Sequence, residues 1–432
     1  MRFFIVTVFL LISLNAETLD IKKAIDIALK NSPKIHSAKL NLQISEQDIR
    51  LALSTYYPSL DLVSKYTKQN DNYNRYTQKN TQLKIGGEIT QNIYDFGRTS
   101  SAYDSAKIGK KKNLKLFEES LNNIIFEVRD GLNQVYKNLY LLDIAIEENS
   151  IMKERESQIY GLYQGGLRSK YDVTTVKLKV INTDKSIKKV RGMLNKSIDD
   201  LKKIIGSKQD IAIDKSNYKV EIETIKEHLK KIDIDKKSLI KKMLENNPEL
   251  HSFEYATKQK RENIRSKEAE LMPELEFVGS GYRYPKDSYS PDFQSEYKNS
   301  WEAGVRFSWN VFDGFRDDVA MQKASIEHLK SNSELEEQRL ELTNRLENAT
   351  TKASESKSVL HESFKEIELA KENVAIARSQ YSSGLIDIWQ YLLSEENLLE
   401  TKRSLVENYY SLLSSLYEIE YLTGSSKASS SL

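Results

Sequence analysis

From Trp301 to Val311 every second residue is apolar (Trp301, Ala303, Val305, Phe307, Trp309, Val311), with Glu302, Gly304, Arg306, Ser308 and Asn310 between them. A period of two predicts a strand with one apolar and one polar face. The flanking chain has another period. Between residues 99 and 161 the apolar positions Leu114, Phe117, Leu121, Ile124, Val128, Leu132, Val135, Leu139, Leu142 and Ile146 follow at steps of three and four. That spacing predicts a coiled-coil seam with one stutter, on a helix that coils weakly. A return helix is predicted on the stripe Val173, Val176, Val180, Ile187, Val190, Leu194, Ile198, Leu201 and Ile205, and Leu360, Phe364, Ile367, Ala370, Val374 and Ala377 mark a second long helix.

The pattern is written twice. NSPKIHSAK at 31–39 returns as NNPELHSFE at 246–254, and Pro33, His36, Arg50, Pro58 and Leu60 reappear as Pro248, His251, Arg265, Pro273 and Leu275, each 215 positions on. NIYDFGR at 92–98 answers NVFDGFR at 310–316 at an offset of 218, which then holds from Tyr163 and Tyr381 through Gly166 and Gly384, Leu167 and Leu385, to Gly206 and Gly424. A spacing that tolerates no insertion points to two copies of one elongated unit. All six prolines stand at 33, 58, 248, 273, 285 and 291, so long helices can run in the proline-free stretches.

Each copy carries a strand pair after its second proline. SLDLVSKYT from Ser59 and QLKIGGEITQNIYDF from Gln82 are joined by the polar QNDNYNRYTQK, predicted as a loop. ELEFVGSGYRY from Glu274 precedes the alternating stretch, joined by a loop with Pro285, Asp287, Ser288 and Pro291. Strands of about ten residues cross a membrane if tilted. Leu83, Ile85 and the belt Trp301, Val305, Phe307 and Trp309 would then face lipid, and Lys84, Glu88, Glu302 and Arg306 water. A sandwich edge would alternate in the same way, but the chain has no strands for a second sheet. Four strands cannot close a barrel, and an open edge in lipid is prohibitive. The chain must therefore assemble: two copies make a filled eight-stranded barrel, three a twelve-stranded one with a passage.

Composition agrees with an elongated protein. Of 432 residues 39% are hydrophobic and 30% charged, which is thin provision for large globular cores. The 65 basic and 63 acidic residues are interspersed, so no face advertises nucleic acid. There is no cysteine, which excludes disulfides, thiolate chemistry and a lipidated N-terminal cysteine. MRFFIVTVFLLISLNA, residues 1–16, reads as a signal peptide, with Arg2, an apolar run from Phe3 to Leu14 and Ala16 at the cleavage position.

The leader, the duplicated helix, hairpin, helix plan, YDFG and FDGF after the hairpins, and YxxGL at each helix turn together resemble the TolC family of outer membrane efflux proteins. The resemblance covers residues 17–424. It implies a mainly α fold with transmembrane β, a duplicated helix–hairpin–helix repeat that as a trimer forms a 12-stranded β-barrel continued by a 12-helix α-barrel tunnel. The expected division is a first repeat at 17–205 (helices 17–57, 99–162 and 171–205, hairpin 58–98), a linker at 206–238, a second repeat at 239–424 (helices 239–272, 317–380 and 388–423, hairpin 273–316) and a tail at 425–432. The implied role is an exit duct in the cell outer membrane, with its helices in the periplasm. A periplasmic adaptor protein would open it for an inner-membrane pump or ABC transporter.

The resemblance places the periplasmic mouth at YQGGLRSKYDV, 163–173, and YSSGLIDIWQY, 381–391. Gly165 or Gly166, and Gly384, permit the left-handed backbone of a helix end, and a plain turn needs nothing more. Tyr163, Gly166, Leu167, Tyr381, Gly384 and Leu385 are the gate and adaptor-contact candidates. Asp172 matches the family's acidic gate position in the first repeat, and Tyr381 its gate tyrosine. Gln390 stands where an aspartate of the constriction ring is expected, and Ile386 replaces the arginine that would pair with Asp172. The salt-bridged latch is thus altered, leaving Arg168 or Lys170 to supply the charge. Asp387 offers an acidic ring three residues earlier, or a solvated surface charge.

No catalytic residue, metal or cofactor is expected. His36, His228, His251, His328 and His361 are scattered, and Gly86 with Gly87 lacks the Lys-Ser/Thr of a phosphate loop. Glu147 with Glu148, and Glu395 with Glu396, stand in highly charged helices and are expected to be solvated. A soluble periplasmic coiled-coil adaptor or scaffold would share the long antiparallel helices, but adaptors carry one hairpin flanked by short strands. A secreted helical pore former would need no outer membrane assembly.

Overall fold

The computed structural model describes residues 20–73, 76–207, 218, 221–285 and 297–425. The predicted leader at 1–16, the loop residues Asp287, Ser288 and Pro291, part of the 206–238 linker and all but the first residue of the 425–432 tail lie outside them. In chain order the elements are α1 (Ile21–Asn31), α2 (Pro33–Ser54), β1 (Ser59–Tyr73), β2 (Tyr76–Tyr94), α3 (Arg98–Gln164), α4 (Lys170–Ile205), α5 (Ile222–Lys231), α6 (Lys236–Asn246), α7 (Pro248–Glu270), β3 (Glu274–Pro285), β4 (Tyr297–Ser308), α8 (Arg316–Ser382) and α9 (Ile388–Leu422). They fall into two compact units, one of 118–247 with the two chain ends, the other of Ala38–Phe117 and Pro248–Arg339.

The second unit holds one antiparallel sheet in the order β1-β2-β3-β4. Cross-strand pairs share a face, so the register sorts the side chains. Leu62 opposes Gly87, Gly87 opposes Gly281 and Gly281 opposes Trp301; Phe277 opposes Val305, and Leu275 opposes Phe307. The alternate rows hold Asp61 with Glu88, Lys65 with Lys84, and Glu276 with Arg306. One face is thus apolar across all four strands and the other polar.

α3 and α8 each span 67 residues, the equality expected of a duplicated unit. Ile124, Val128, Leu132, Val135 and Leu139 of the predicted seam are buried, but Leu114 and Ile146 are exposed. Beyond Leu139 the buried positions shift to Leu141, Ile144, Ala145, Met152 and Ile159, the last two in a core with Val176 and Val180 of α4, Ala377 of α8 and Ile388, Tyr391 and Leu392 of α9. Val176, Val180, Leu194, Leu201 and Ile205 bury the predicted stripe of α4.

Four sequence expectations change. The helices expected at 17–57 and 239–272 are each broken before a proline, at Ser32 (ψ 120°) and Asn247 (ψ 117°), because the residue before proline avoids the helical region and Pro33 and Pro248 start the next helix. QNDNYNRYTQK is no free loop: β1 and β2 pair out to Tyr73 and Tyr76, since backbone pairing needs no apolar alternation. The linker contains α5, which buries Ile225 and Leu229. The alternating strand stops at Ser308, opposite Glu274, because β3 begins only after Pro273 and leaves residues 309–311 without a partner strand. Trp309 therefore lies beyond β4, its indole N–H donating to the Leu271 carbonyl at 3.2 Å.

Candidate functional site

The two helix turns are built alike. At the first, the Gly166 N–H donates to the Tyr163 carbonyl at 3.0 Å and the Leu167 N–H to the Leu162 carbonyl at 2.9 Å; at the second, Gly384 donates to Tyr381 at 3.1 Å and Leu385 to Gln380 at 2.9 Å. This double bond at a helix end requires a left-handed residue, supplied by Gly166 (φ 75°) and Gly384 (φ 74°) and not by Gly165. Leu167 and Leu385, one residue on, are 73% and 76% exposed.

Both acidic candidates cap helices. The Asp172 carboxylate accepts the Ser169 N–H at 3.0 Å while the Ser169 hydroxyl oxygen accepts the Asp172 N–H at 3.2 Å, a complete capping box at the start of α4. Asp387 caps α9 by accepting the Gln390 N–H at 2.9 Å. Within the chain the two turns meet through Arg168, whose guanidinium lies 5.5 Å from the centre of the Tyr381 ring, and Tyr381 stacks on Tyr391 at 5.5 Å. Ile386, where the resemblance led to an expectation of an arginine, packs together with Trp389 on a core of Met152, Ile159, Val176, Val180, Ile388 and Leu392.

Within that core lies a polar network that sequence reasoning missed. Arg155 on α3 is 9% exposed and Glu395 on α9 is 7% exposed. Arg155 Nη2 donates to Glu395 Oε1 at 2.8 Å and to the Tyr391 hydroxyl at 2.6 Å, and that hydroxyl donates to Glu395 at 2.5 Å. Glu395 is therefore not solvated as expected: Arg155 takes the place of water. Glu148 is likewise covered, paired with Arg403, whereas Glu147 and Glu396 remain half exposed and pair with Lys402 and Lys179. The available signal was spacing, since Arg155 sits between Met152 and Ile159, and Glu395 follows Tyr391 and Leu392 at core intervals.

Burial, followed by the hydrogen bond to Glu395, pushes the Tyr391 phenol up to about 12. A raised folded value means that the stability this neutral phenol contributes is whole below the ordinary tyrosine value of about 10, and is lost as pH rises through about 12. Glu395→Gln is expected to bring one tyrosine forward in an alkaline titration followed by tyrosinate absorbance. An unchanged titration would place Tyr391 outside the network.

The sheet presents the second set of candidates. Trp301 is 81% and Leu62 87% exposed, and Val305 and Phe307 stand on the same bare face. On the other face Arg306 Nη2 pairs with Glu276 at 2.8 Å, and the Tyr282 ring lies under Lys84, its hydroxyl donating to Glu88. Gly86 makes room for that ring: a Cβ there would collide with the Gly281 carbonyl and Tyr282. Among the described residues no helix is long and apolar enough to cross a membrane, and no His, Cys, Asp and Glu cluster could hold a metal ion. His228 contacts the Tyr409 hydroxyl at 3.3 Å and His251 contacts Glu254 at 3.1 Å.

The fold recurs in solved outer membrane channels. A structure of CusC aligns with TM-score 0.80 and 16% identity, covering 94% of this chain and 92% of that one. The Campylobacter jejuni CmeC outer membrane channel aligns with TM-score 0.80 and 14% identity over 95% and 87%. The open state of the Neisseria gonorrhoeae MtrE outer membrane channel aligns with TM-score 0.77 and 13% identity over 94% and 88%. No curated protein sequence matches the chain. The sequence profile of outer membrane efflux proteins matches residues 24–207 and 239–425, both repeats with the sheet and the helix turns, and the chain belongs to that TolC-like family of outer membrane channels.

Proposed function

We propose that three copies of this chain form an outer membrane exit duct whose periplasmic mouth is made by the two helix turns and opened by an adaptor protein serving an inner-membrane pump or ABC transporter. The observation that carries this reading is the four-stranded sheet, with one face bare and apolar and with one edge of β1 and one of β4 lacking a partner strand among the described residues. Channels of this family typically form trimers, and three such sheets close a twelve-stranded barrel without an open edge. The apolar face then meets lipid, and the row of Lys84, Glu88, Glu302 and Arg306 lines the water-filled side. A soluble scaffold has no use for such a face.

At the mouth, Leu167 and Leu385 are the exposed apolar tips offered to the adaptor, with Tyr163 and Gln390 beside them. Closure within each copy rests on the Arg168 contact with Tyr381 and on the buried Arg155, Tyr391 and Glu395 network, both of which join the α3/α4 hairpin to the α8/α9 hairpin. Asp172 and Asp387 shape the mouth by capping.

The test is assembly and conductance. Purified protein is expected to be a detergent-dependent, heat-sensitive trimer with low resting conductance in planar bilayers; a monodisperse monomer without detergent would sink the proposal. Asp172→Ala is expected to cost about 0.5–1.5 kcal/mol by removing the half of the capping box in which the carboxylate accepts the Ser169 N–H. The closed state should become noisier in single-channel records, while Asp172→Asn, which still caps, should stay near the parent level.

A further inference from the structure

Ion pairs between α3 and α9 join the two repeats within a copy. Passing along α3 towards the turns, Arg129 pairs with Glu420 at 2.5 Å, Glu147 with Lys402 at 2.8 Å, Glu148 with Arg403, and Arg155 with Glu395 at 2.8 Å. The offset of 218 residues carries α3 (98–164) onto α8 (316–382) without a gap, and Gly206 after α4 onto Gly424 after α9. In a closed ring of three copies, the rotation that takes the first repeat onto the second within a copy takes the second onto the first of the next copy. A contact between α3 and α9 is therefore repeated between α8 of one copy and α4 of the next.

Applied to the four pairs, the offset gives Glu347 with Lys202, Lys365 with Asp184, Glu366 with Lys185, and Asn373 with Lys177. The first three are again of opposite sign. In two of them the signs are reversed: arginine with glutamate becomes glutamate with lysine, and glutamate with lysine becomes lysine with aspartate. Reversal decides which helices can pair. Two first repeats brought together would set Glu147 against Asp184 and Arg129 against Lys202, and two second repeats would set Lys365 against Lys402 and Glu347 against Glu420. Both arrangements oppose like charges, and charges flanking packed helices set partner choice in this way. The Glu366 and Lys185 pair keeps its sign, so it attracts without discriminating.

The two faces are bare within the chain. Leu369, Ile376 and Leu393 along the groove between α8 and α9 are 61%, 47% and 57% exposed. Leu399, between Glu395 and Lys402 on α9, is 2% exposed, whereas its equivalent Ile181, between Lys177 and Asp184 on α4, is 43% exposed. The charged groups have local contacts that leave them accessible: Lys365 lies 3.9 Å from Glu362, Glu347 lies 3.1 Å from Lys236, and Asp184 accepts from Asn149 at 2.9 Å and lies 3.5 Å from Lys153. Nearest the turns the correspondence stops, because Asn373 and Lys177 form no ion pair.

We propose that α8 of each copy docks on α4 of the next through Lys365 with Asp184, Glu366 with Lys185 and Glu347 with Lys202, and that the two sign-reversed pairs force first and second repeats to alternate around the ring. The occupant of the groove is thus a second copy of this chain. The inference rests on the reading of three copies as one duct.

The chain has no cysteine, so pairs can be placed cleanly in the full-length protein in detergent. Lys365→Cys with Asp184→Cys, treated with a short bis-maleimide, is expected to give covalent dimers and trimers on denaturing electrophoresis. Glu147→Cys with Lys402→Cys, which lie across the seam within a copy, is expected to give only product of monomer mass. An intact trimer in which the 365 and 184 cysteines yield no higher-mass band would overturn the docking and leave the trimeric duct standing. No trimer in the parent protein would overturn both. Charge exchange supplies the second readout. Lys365→Glu is expected to lower the temperature at which the trimer dissociates, and adding Asp184→Lys to recover most of the loss. No loss in the single variant, or no recovery in the double, would overturn the charge pairing.

Discussion

Arg155→Ala is expected to produce the largest functional change of any single substitution near the helix turns. It leaves Glu395, 7% exposed, as a buried carboxylate without its cation, and breaking a buried ion pair from one side costs about 3–5 kcal/mol. The Tyr391 hydroxyl cannot compensate, since its single proton already goes to Glu395. Because the network joins the α3/α4 hairpin to the α8/α9 hairpin and recurs in each copy, resting conductance in planar bilayers should rise and the helical thermal transition should fall. Arg155→Met combined with Glu395→Leu separates the two effects. An apolar pair of similar volume packs without desolvation, so the thermal transition should recover. Conductance should stay above the parent level if the directional ionic bridge, and not mere packing, holds the hairpins together. Unchanged conductance in Arg155→Ala would remove the network from the gate.

A charge on the bare face of the sheet should be comparably damaging to assembly. Val305→Arg puts a guanidinium where lipid is expected, at about 2–4 kcal/mol near mid-membrane and in every copy of the assembly. The neighbouring Arg306→Gln loses only a half-exposed ion pair with Glu276, worth about 0–1 kcal/mol. The heat-sensitive trimer should therefore disappear in the first variant and persist in the second, by electrophoresis without boiling. Equal loss in both would mean that the two faces do not meet different solvents.

The match between pattern and structure was best where one physical cause acted alone. Alternation at 301–307 marked a strand because a pleated chain has no other way to place Trp301, Ala303, Val305 and Phe307 together, and the observed register confirms that shared face. The alternation beyond it misled: Trp309 and Val311 continue the pattern, but a strand lasts only as long as its partner, and Pro273 ends the partner. Coiled-coil spacing located the buried stripe of α3 up to Leu139. It failed beyond, where Met152 and Ile159 turn into a core built by three other helices, α4, α8 and α9, at once. The acids show the same limit. Asp172 and Asp387 were noticed for their charge, yet their places in the first turn of α4 and at the cap position of α9 made them capping groups.

The sequence by itself determined the duplication, the strand and helix periods, the apolar face that demands assembly, and the glycine turns. All are local or repetitive properties, set by which residues recur at which interval. Only the tertiary structure decided which charges are buried, because burial depends on what another element, 240 residues away in the case of Arg155 and Glu395, brings alongside. It also decided the backbone of Phe96 and Phe315, since a left-handed phenylalanine is imposed by the long helix on one side and the sheet on the other, against the residue's own preference.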